Sequence, residues 1–219
     1  MVRWPPRRRD VIAALAAEIL THYRRGRVLV AVDAPEGAEA DDVARELAAA
    51  FEREHHPAVV ASIEDFQQPR EHRLRRGSDS GEGRYRDRYD YSALRRVLVE
   101  PFRLGGSTGF QTLFFDRRRD APFESSWRTA GEDSVLIVAG PFLQRPELRG
   151  LWHYAIRLEL PAEEAWARRA PEPPDEDDAE AAAEAARLYE RESAPRERAN
   201  AIIGLSDPER PTRLYADSC

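Results

Sequence analysis

Two spacings of hydrophobic positions follow each other early in the chain and predict a strand, a turn and a helix. Residues 27–32, "RVLVAV", form a continuous β-branched run, which is typical of a strand covered on both faces. After the turn, "DDVARELAAAFERE" places Val43, Leu47 and Phe51 on one stripe of a helix. This pattern predicts the opening βα unit of a parallel sheet.

Further elements surround this unit. The run "DVIAALAAEILTHYRRG" has apolar residues at helical spacing, with Asp10 as the expected N-cap and Gly26 as the expected end. Residues 58–63 predict a second strand, 134–143 the clearest buried strand, and 153–160 another. The alternation of strands with helices predicts an α/β fold with a mainly parallel sheet.

The middle and the end of the chain carry weaker patterns. Residues 67–92 are too polar to predict core packing, so we expect a loop with short helical pieces. "ALRRVLVEPF" predicts a short helix that ends near Pro101, and "GFQTLFFDRRRDAPFESSWRTA" predicts a small hairpin. Pro161 opens a further helix, and an acidic linker then leads into an Ala-rich helix and a last short strand.

Composition narrows the class of protein. The 219 residues, 42% of them hydrophobic, suffice for one sizeable core, so we expect a single domain over 1–219. The net charge of −6 argues against nucleic-acid binding driven by bulk charge. Cys219 is the only cysteine, which excludes an intrachain disulfide and a thiolate metal site, and no metal site is predicted. No apolar run approaches the roughly 20 residues of a membrane span, so we expect a soluble, cytoplasmic protein.

Several segments, in this order, resemble the uridine kinase family of P-loop phosphotransferases, which is related to phosphoribulokinase and bacterial pantothenate kinase. They are "RVLVAVDAPEG", "SIEDF", "YRDRYDYSALRRVLVEPF", "VLIVAGPFL", "AWARRA" and "YERESAPRERANAII". The resemblance implies a P-loop NTPase-like three-layer fold with a mainly parallel sheet and helices on both faces. It also implies a C-terminal lid over about residues 162–199.

The phosphate loop is where the sequence departs from this family. In Gly-x-x-x-x-Gly-Lys-Ser/Thr, glycines let backbone N–H groups close on phosphates, the lysine neutralises them and the hydroxyl holds Mg²⁺. The resemblance places Ala34, Glu39, Ala40 and Asp41 at these four positions, and the chain contains no lysine. Gly37 retains some freedom for the turn. We therefore interpret this segment as a degenerate nucleotide loop.

Two further features of this region argue against ordinary ATP binding. Four carboxylates surround the expected phosphate pocket, those of Glu36, Glu39, Asp41 and Asp42. Like charges about 4 Å apart repel by roughly 1 kcal/mol in water and roughly 4 kcal/mol near a protein surface. In addition, Ala139 stands where the family has the second acidic strand end, which helps to place the metal. Arginine would have kept the charge at the lysine position, so an arginine-rich composition does not explain the loss.

The acceptor side of the resemblance survives better. Glu64 stands at the position of the family's catalytic base, and Asp65 lies beside it, so either carboxylate could accept a hydroxyl proton. The same two acids could instead cap the following turn. The tyrosine that follows the phenylalanine in the family is Gln67 here. Glu64 and Asp65 are the candidate catalytic residues.

Four more residues are candidate substrate ligands by resemblance. Asp90, in "YDY", matches an acid that hydrogen-bonds a ribose hydroxyl, although it could equally be the N-cap of a helix beginning near Ser92. Tyr91 belongs to the same segment. Arg168 and Arg169 resemble lid arginines that stabilise the transferred phosphate, but neighbours on a helix point about 100° apart, so we expect at most one to face the site.

Two functions stay open from the sequence. The first is a catalytically impaired uridine kinase homologue that binds a nucleoside-like or other small ligand, or a protein partner, with no cofactor expected. The second is an active ATP-dependent kinase in which the acids of the loop hold Mg²⁺ and the metal carries the phosphates. The loop chemistry favours the first. Neither involves nucleic acid or a membrane, and the sequence does not indicate an oligomeric state.

Overall fold

The computed structural model of this protein describes residues 6–169 and 178–215. The strands are β1 Val28–Asp33, β2 Ala58–Ser62, β3 Phe115–Asp116, β4 Ala121–Pro122, β5 Val135–Gly140, β6 Tyr154–Glu159, β7 Ala201–Gly204 and β8 Thr212–Leu214. The helices are α1 Arg8–His22, α2 Ala40–Arg53, α3 Arg70–Arg73, α4 Gly81–Asp87, α5 Tyr91–Ala93, α6 Glu100–Leu104, α7 Ala162–Arg168, α8 Ala179–Ser193 and α9 Pro195–Arg198.

The central sheet has six strands in the order β2-β5-β1-β6-β7-β8. Strand β1 lies between β5 and β6 and pairs parallel with both, with Val30 opposite Ile137 and Tyr154. All six residues of β1 are buried, as a continuous β-branched run requires. Only β8 joins this sheet antiparallel, and the sequence analysis did not predict it. The α/β class with a mainly parallel sheet is confirmed.

The core has two halves, one on each face of the sheet. Side chains alternate along a strand, so Val30 and Val32 face one cluster while Leu29 and Ala31 face the other. Helices α1 and α2 cover the first face, and α4 to α6 with α8 cover the second. This arrangement has the three layers that the family resemblance implied.

The segment 67–92 contains the predicted short helical pieces but is wrongly predicted to stay out of the core. Tyr85 and Tyr89, which belong to this segment, are buried. The buried Asp87 accepts hydrogen bonds from the exposed Arg75 and Arg76, the latter at 2.7 Å. Charged residues are rarely buried without such partners, and the sequence did not show which would pair.

Three predicted helix boundaries are also wrong. Helix α1 begins at Arg8, so Asp10 is not its N-cap but lies in its first turn and accepts a 3.0 Å hydrogen bond from the Arg7 N–H. α1 ends at His22, before Gly26. The helix predicted from "ALRRVLVEPF" continues through a π-helical segment, 94–99, and reaches Leu104 rather than ending near Pro101. Pro101 is the second residue of α6, which follows the π-helical segment directly.

The predicted hairpin is present, because β3 and β4 pair antiparallel. Its turn is stabilised by Asp116, whose carboxylate accepts from the N–H groups of Arg118 and Arg119 at 2.9 and 3.2 Å.

Among the helices of the described ranges, none has the length and apolar character that crossing a membrane would require.

Candidate functional site

The loop 34–39 connects β1 to α2 at the edge where the parallel strands end, which is where open α/β sheets place their ligands. Gly37 has φ +86° and Glu39 has φ +52°. The left-handed conformation favours glycine, and the family resemblance assigns a glycine to the position of Glu39. The backbone therefore has the form that a glycine would adopt there, although the side chain is a glutamate.

A cavity of about 390 Å³ lies over this loop. It brings together most of the candidate residues, namely Gly37, Glu39, Ala40, Asp41, Glu64, Arg168 and Arg169. Four candidates lie elsewhere. Asp65, Asp90 and Tyr91 do not line this cavity, and Ala34 is buried at the start of the loop. The loop and the lid thus meet as expected, but the proposed ribose ligands do not join them.

Arginines offset the carboxylates of the loop. Glu36 pairs with the buried Arg84, whose Nε donates to Oε1 at 3.0 Å. Glu39 pairs with Arg8 at 3.1 Å. The cavity as a whole is lined by five carboxylates and five guanidinium groups. The expectation of an acidic pocket, drawn from the loop alone, is corrected, because the compensating charges come from distant parts of the chain.

The family resemblance places Asp41 at the position of the hydroxyl residue of the phosphate loop. Its Oδ1 atom and the Oγ of Ser62 are buried without a hydrogen-bond partner. Burial raises the pKa of Asp41, and although the nearby Ser62 hydroxyl lowers it, the negative charge of Glu64 adds to the rise. The start of α2 thus carries an incompletely satisfied carboxyl group.

Glu64 and Asp65 follow β2, and their environments differ. Glu64 accepts hydrogen bonds from the Tyr89 hydroxyl and the Gln67 amide, and Arg88 lies 3.5 Å away. Burial, together with the charges of Asp41 and Glu64, raises the pKa of Asp65 to about 6. Geometry therefore favours Glu64 as a base, since it lines the cavity, whereas proton affinity favours Asp65.

Asp90 caps a helix. Its Oδ1 accepts a 2.8 Å hydrogen bond from the Ala93 N–H, and α5 begins at the next residue, Tyr91. Burial raises the pKa of Tyr91, and the guanidinium of Arg145 lies 5.0 Å from its ring. The structure thus shows the capping alternative for Asp90, while the ribose contact has no geometric support in this cavity.

Both lid arginines face the site, contrary to the expectation that at most one would. Helix α7 ends at Arg168, and Arg169 has extended backbone with φ −65° and ψ 154°. The 100° offset between helical neighbours therefore does not apply, and both residues line the cavity. Arg168 pairs with Glu164 at 3.2 Å, and the Arg169 guanidinium lies 3.6 Å from the centre of the Trp166 ring.

The lid packs directly on the loop. A Cβ atom placed on Gly37 would lie 2.0 Å from the carbonyl oxygen of Ala165 and 2.9 Å from the Cβ of Arg169. Only glycine allows this approach, because real Cβ atoms essentially never come within 3.0 Å of another heavy atom in this way. The backbone of the loop at Gly37 is therefore in close contact with α7 and with Arg169.

Asp33, at the end of β1, is a central residue that the sequence analysis did not select. It is fully buried and accepts hydrogen bonds from the Leu143 N–H at 3.1 Å, Gln144 Nε2 at 3.2 Å, Arg157 Nη1 at 2.9 Å and the Tyr189 hydroxyl at 2.8 Å. The sequence feature that could have identified it is an acidic residue at the end of an apolar strand. A buried carboxylate needs this many donors.

The sheet order, the loop after β1 and the lid together define a P-loop kinase-like fold, and comparison with solved structures agrees. One similar structure is a possible uridine kinase from Bacillus stearothermophilus, with 22% identity and a TM-score of 0.69 over 89% of this chain and 97% of that one. Another is a candidate fructose transport system kinase from Silicibacter sp. TM1040, with 24% identity and a TM-score of 0.63 over 83% and 95%.

A third is D-glycerate 3-kinase from Cryptococcus neoformans var. grubii serotype A, with 10% identity and a TM-score of 0.65 over 94% and 99% of the two chains. No family model matches the sequence, and no curated protein matches it closely. Because identities this low show the fold alone, the function has to be argued from the site itself.

Proposed function

We propose that this protein is a uridine kinase-like P-loop protein that binds a small nucleoside-like ligand without efficient phosphoryl transfer. The observation that carries the proposal is the loop before α2, where Ala40, the first residue of the helix, stands at the position that the resemblance gives to the phosphate-binding lysine. A phosphate in the usual pose would find no ammonium group there.

The donor side lacks its other anchors as well. Asp41 replaces the hydroxyl that holds the metal, and Ala139, which replaces the strand-end acid, is fully buried beside β1 and β2. Phosphoryl transfer depends almost entirely on positioning and charge stabilisation by such groups. Their joint loss is expected to lower nucleotide affinity and turnover together.

The acceptor side supports ligand binding. Glu64 is held in place by Tyr89 and Gln67 and faces the cavity together with Arg168 and Arg169. A carboxylate and two guanidinium groups around a partly enclosed cavity offer both acceptors and donors to a polyhydroxylated ligand.

An active kinase with an atypical nucleotide site is the alternative, and one observation favours it. Asp41 carries a buried, unsatisfied carboxylate oxygen where the family has its metal-binding hydroxyl. Mg²⁺ usually takes only one or two protein carboxylates and completes its shell with water and substrate phosphates. The described residues contain no group of three or more His, Cys, Asp or Glu side chains that could hold a metal ion, so such a site would depend on the substrate.

Calorimetry distinguishes the two functions. We expect a dissociation constant for ATP–Mg²⁺ weaker than about 10 μM, together with a rise in melting temperature with millimolar uridine or cytidine. Tight ATP binding, or turnover of about 1 s⁻¹ or faster, would establish the active alternative. A stabilising effect from an unrelated metabolite, but from neither nucleoside, would refute the nucleoside-like ligand.

Restoring the donor site gives a second measurement. A variant that combines Ala34→Gly, Glu39→Gly, Ala40→Lys, Asp41→Thr and Ala139→Asp should bind ATP more tightly than the parent. The control, Ala40→Lys alone, should change little, because groups that act as a unit are strongly non-additive. Circular dichroism must first show that the fivefold variant is folded, since Ala139 is buried. A folded variant with unchanged ATP affinity would show that the alignment of the loop is wrong.

A further inference from the structure

A second cavity, of about 420 Å³, lies between the loop, α7 and α8. It shares Pro35, Glu36 and Pro141 with the cavity over the loop but extends to the other side, toward β6. None of the residues assigned above to catalysis or to the lid arginines lines it. Its volume is within the usual range of small-molecule sites. We call it the lid cleft.

The walls of the lid cleft are mostly apolar. Trp166 of α7, Phe142 and Leu160 contribute large apolar side chains to the lining. Helix α8 contributes alanines, which leave the space open; those that line the cleft are Ala179, Ala182, Ala183 and Ala186. A space of this kind fits a flat, ring-sized apolar group, because aromatic walls gain both burial and stacking from such a partner.

Arg157 lies among these walls, and its hydrogen bonds are directed to carboxylates. Arg157 is 8% exposed. Its Nη1 donates to Asp33 at 2.9 Å and its Nη2 donates to Glu190 at 2.7 Å. Two carboxylates thus share one guanidinium, which leaves one negative charge in excess at this side of the cleft.

The remaining charges of the lining do not reverse this balance. Glu36 is paired with the buried Arg84, and Glu163 adds a further exposed carboxylate. A ligand with an anionic group would meet carboxylates, and the strongest donors of Arg157 are already in use. A neutral donor or a cation would instead be attracted to Glu190, whose carboxylate is half exposed.

We propose that the lid cleft binds a small molecule with a ring-sized apolar body and a neutral or cationic polar group, and that it discriminates against anions. This site adjoins the proposed nucleoside site, with which it shares Pro35, Glu36 and Pro141, but none of the candidate catalytic residues or lid arginines lines it. Its charge preference is opposite to that of a phosphate pocket, so the two proposals can fail independently.

Three probes with the same naphthalene ring test this preference. They are the amine 2-(1-naphthyl)ethylamine, the alcohol 2-(1-naphthyl)ethanol and the carboxylate 1-naphthaleneacetate. By calorimetry with the full chain, we expect the amine and the alcohol to bind and the carboxylate to bind about fivefold or more weakly. Equal binding of the three probes, or tightest binding of the carboxylate, would overturn the charge preference. Probes of this size are expected to bind with dissociation constants of roughly 10 mM or lower. If none of the three gives a heat of binding at about 10 mM, the proposal that the lid cleft is a binding site is wrong.

Two variants locate the binding. Ala182→Leu places a larger side chain in the cleft. It should weaken amine binding about tenfold or more, because the leucine takes up space that the probe would use. Ala167→Leu makes the same change on an exposed position of α7 outside the cleft and should leave binding unchanged. Melting temperatures of both variants verify folding. If both variants, or neither, lose amine binding, the probe binds elsewhere and the proposal is wrong.

Discussion

At the scale of single residues, the most informative side chain is Asp65. Burial and the neighbouring charges of Asp41 and Glu64 raise its pKa to about 6, from an ordinary value of 3.8. Between these two pH values the folded state binds more protons than the unfolded state, so this group makes the free energy of unfolding fall as the pH rises through the window. A carboxyl group of this kind is suited to accept a proton near neutral pH.

We therefore predict that Asp65→Asn stabilises the protein at pH 7.5 by about 1 kcal/mol after allowance for solvent screening. At pH 4 the variant and the parent should unfold at nearly the same urea concentration. Urea unfolding at the two pH values measures this difference, with Asp42→Asn as the reference for losing one exposed carboxylate. A gain that is equal at both pH values would contradict the elevated pKa.

At the scale of secondary-structure elements, the Tyr189 hydroxyl links α8 to the sheet. The Tyr189 hydroxyl donates to Asp33 at 2.8 Å and accepts from the Gln144 N–H at 2.9 Å. Its ring packs edge-on against Phe142 with centroids 5.2 Å apart. One side chain thus connects the end of β1, the loop after β5 and the helix that forms a wall of the lid cleft.

Tyr189→Phe keeps the packing but leaves a buried carboxylate and a buried N–H less well satisfied. We predict a loss of about 1–3 kcal/mol of unfolding free energy, with faster hydrogen exchange in α8. Tyr154→Phe makes the same chemical change where the hydroxyl contacts the partly exposed Glu18, and it should cost less. Equal losses in the two variants would show that the bond to Asp33 has no special weight.

At the scale of the whole molecule, the contact between Gly37 and α7 closes the fold across a long sequence separation. Gly37→Ala combines a strained φ of +86° with a clash against the Ala165 carbonyl. Gly150→Ala is the matched control, since Gly150 has φ +74° and no atom within 4 Å of an added Cβ. Left-handed strain alone costs roughly 1–2 kcal/mol.

We predict that Gly37→Ala costs more than Gly150→Ala in urea unfolding and makes the chain near α7 more accessible to limited proteolysis. The excess over the control measures the packing of the lid on the loop. If the two variants lose equal stability and the cleavage pattern does not change, the lid is not held on the loop in solution.

The sequence determined the parallel strands of the sheet because their signals are local, whereas it did not predict β8. The β-branched run of β1 and the stripe of Val43, Leu47 and Phe51 on α2 fix strand and helix by spacing alone. The absence of the phosphate-binding lysine was equally visible. Local patterns predicted helix boundaries less reliably than strands. Asp10 lies in the first turn of α1 rather than at its N-cap, and the helix that was predicted to end near Pro101 continues to Leu104.

Only the tertiary structure decided which charges meet. The acids of the loop suggested a repulsive pocket, yet Arg8 and Arg84 reach them from outside the loop. Asp33 and Arg157 lie on adjacent strands but far apart in sequence, so their pairing was not predictable from either segment. Electrostatic interactions depend on distance and burial, which chain folding sets, whereas hydrophobic spacing depends on the repeat of the helix or strand, which the sequence contains.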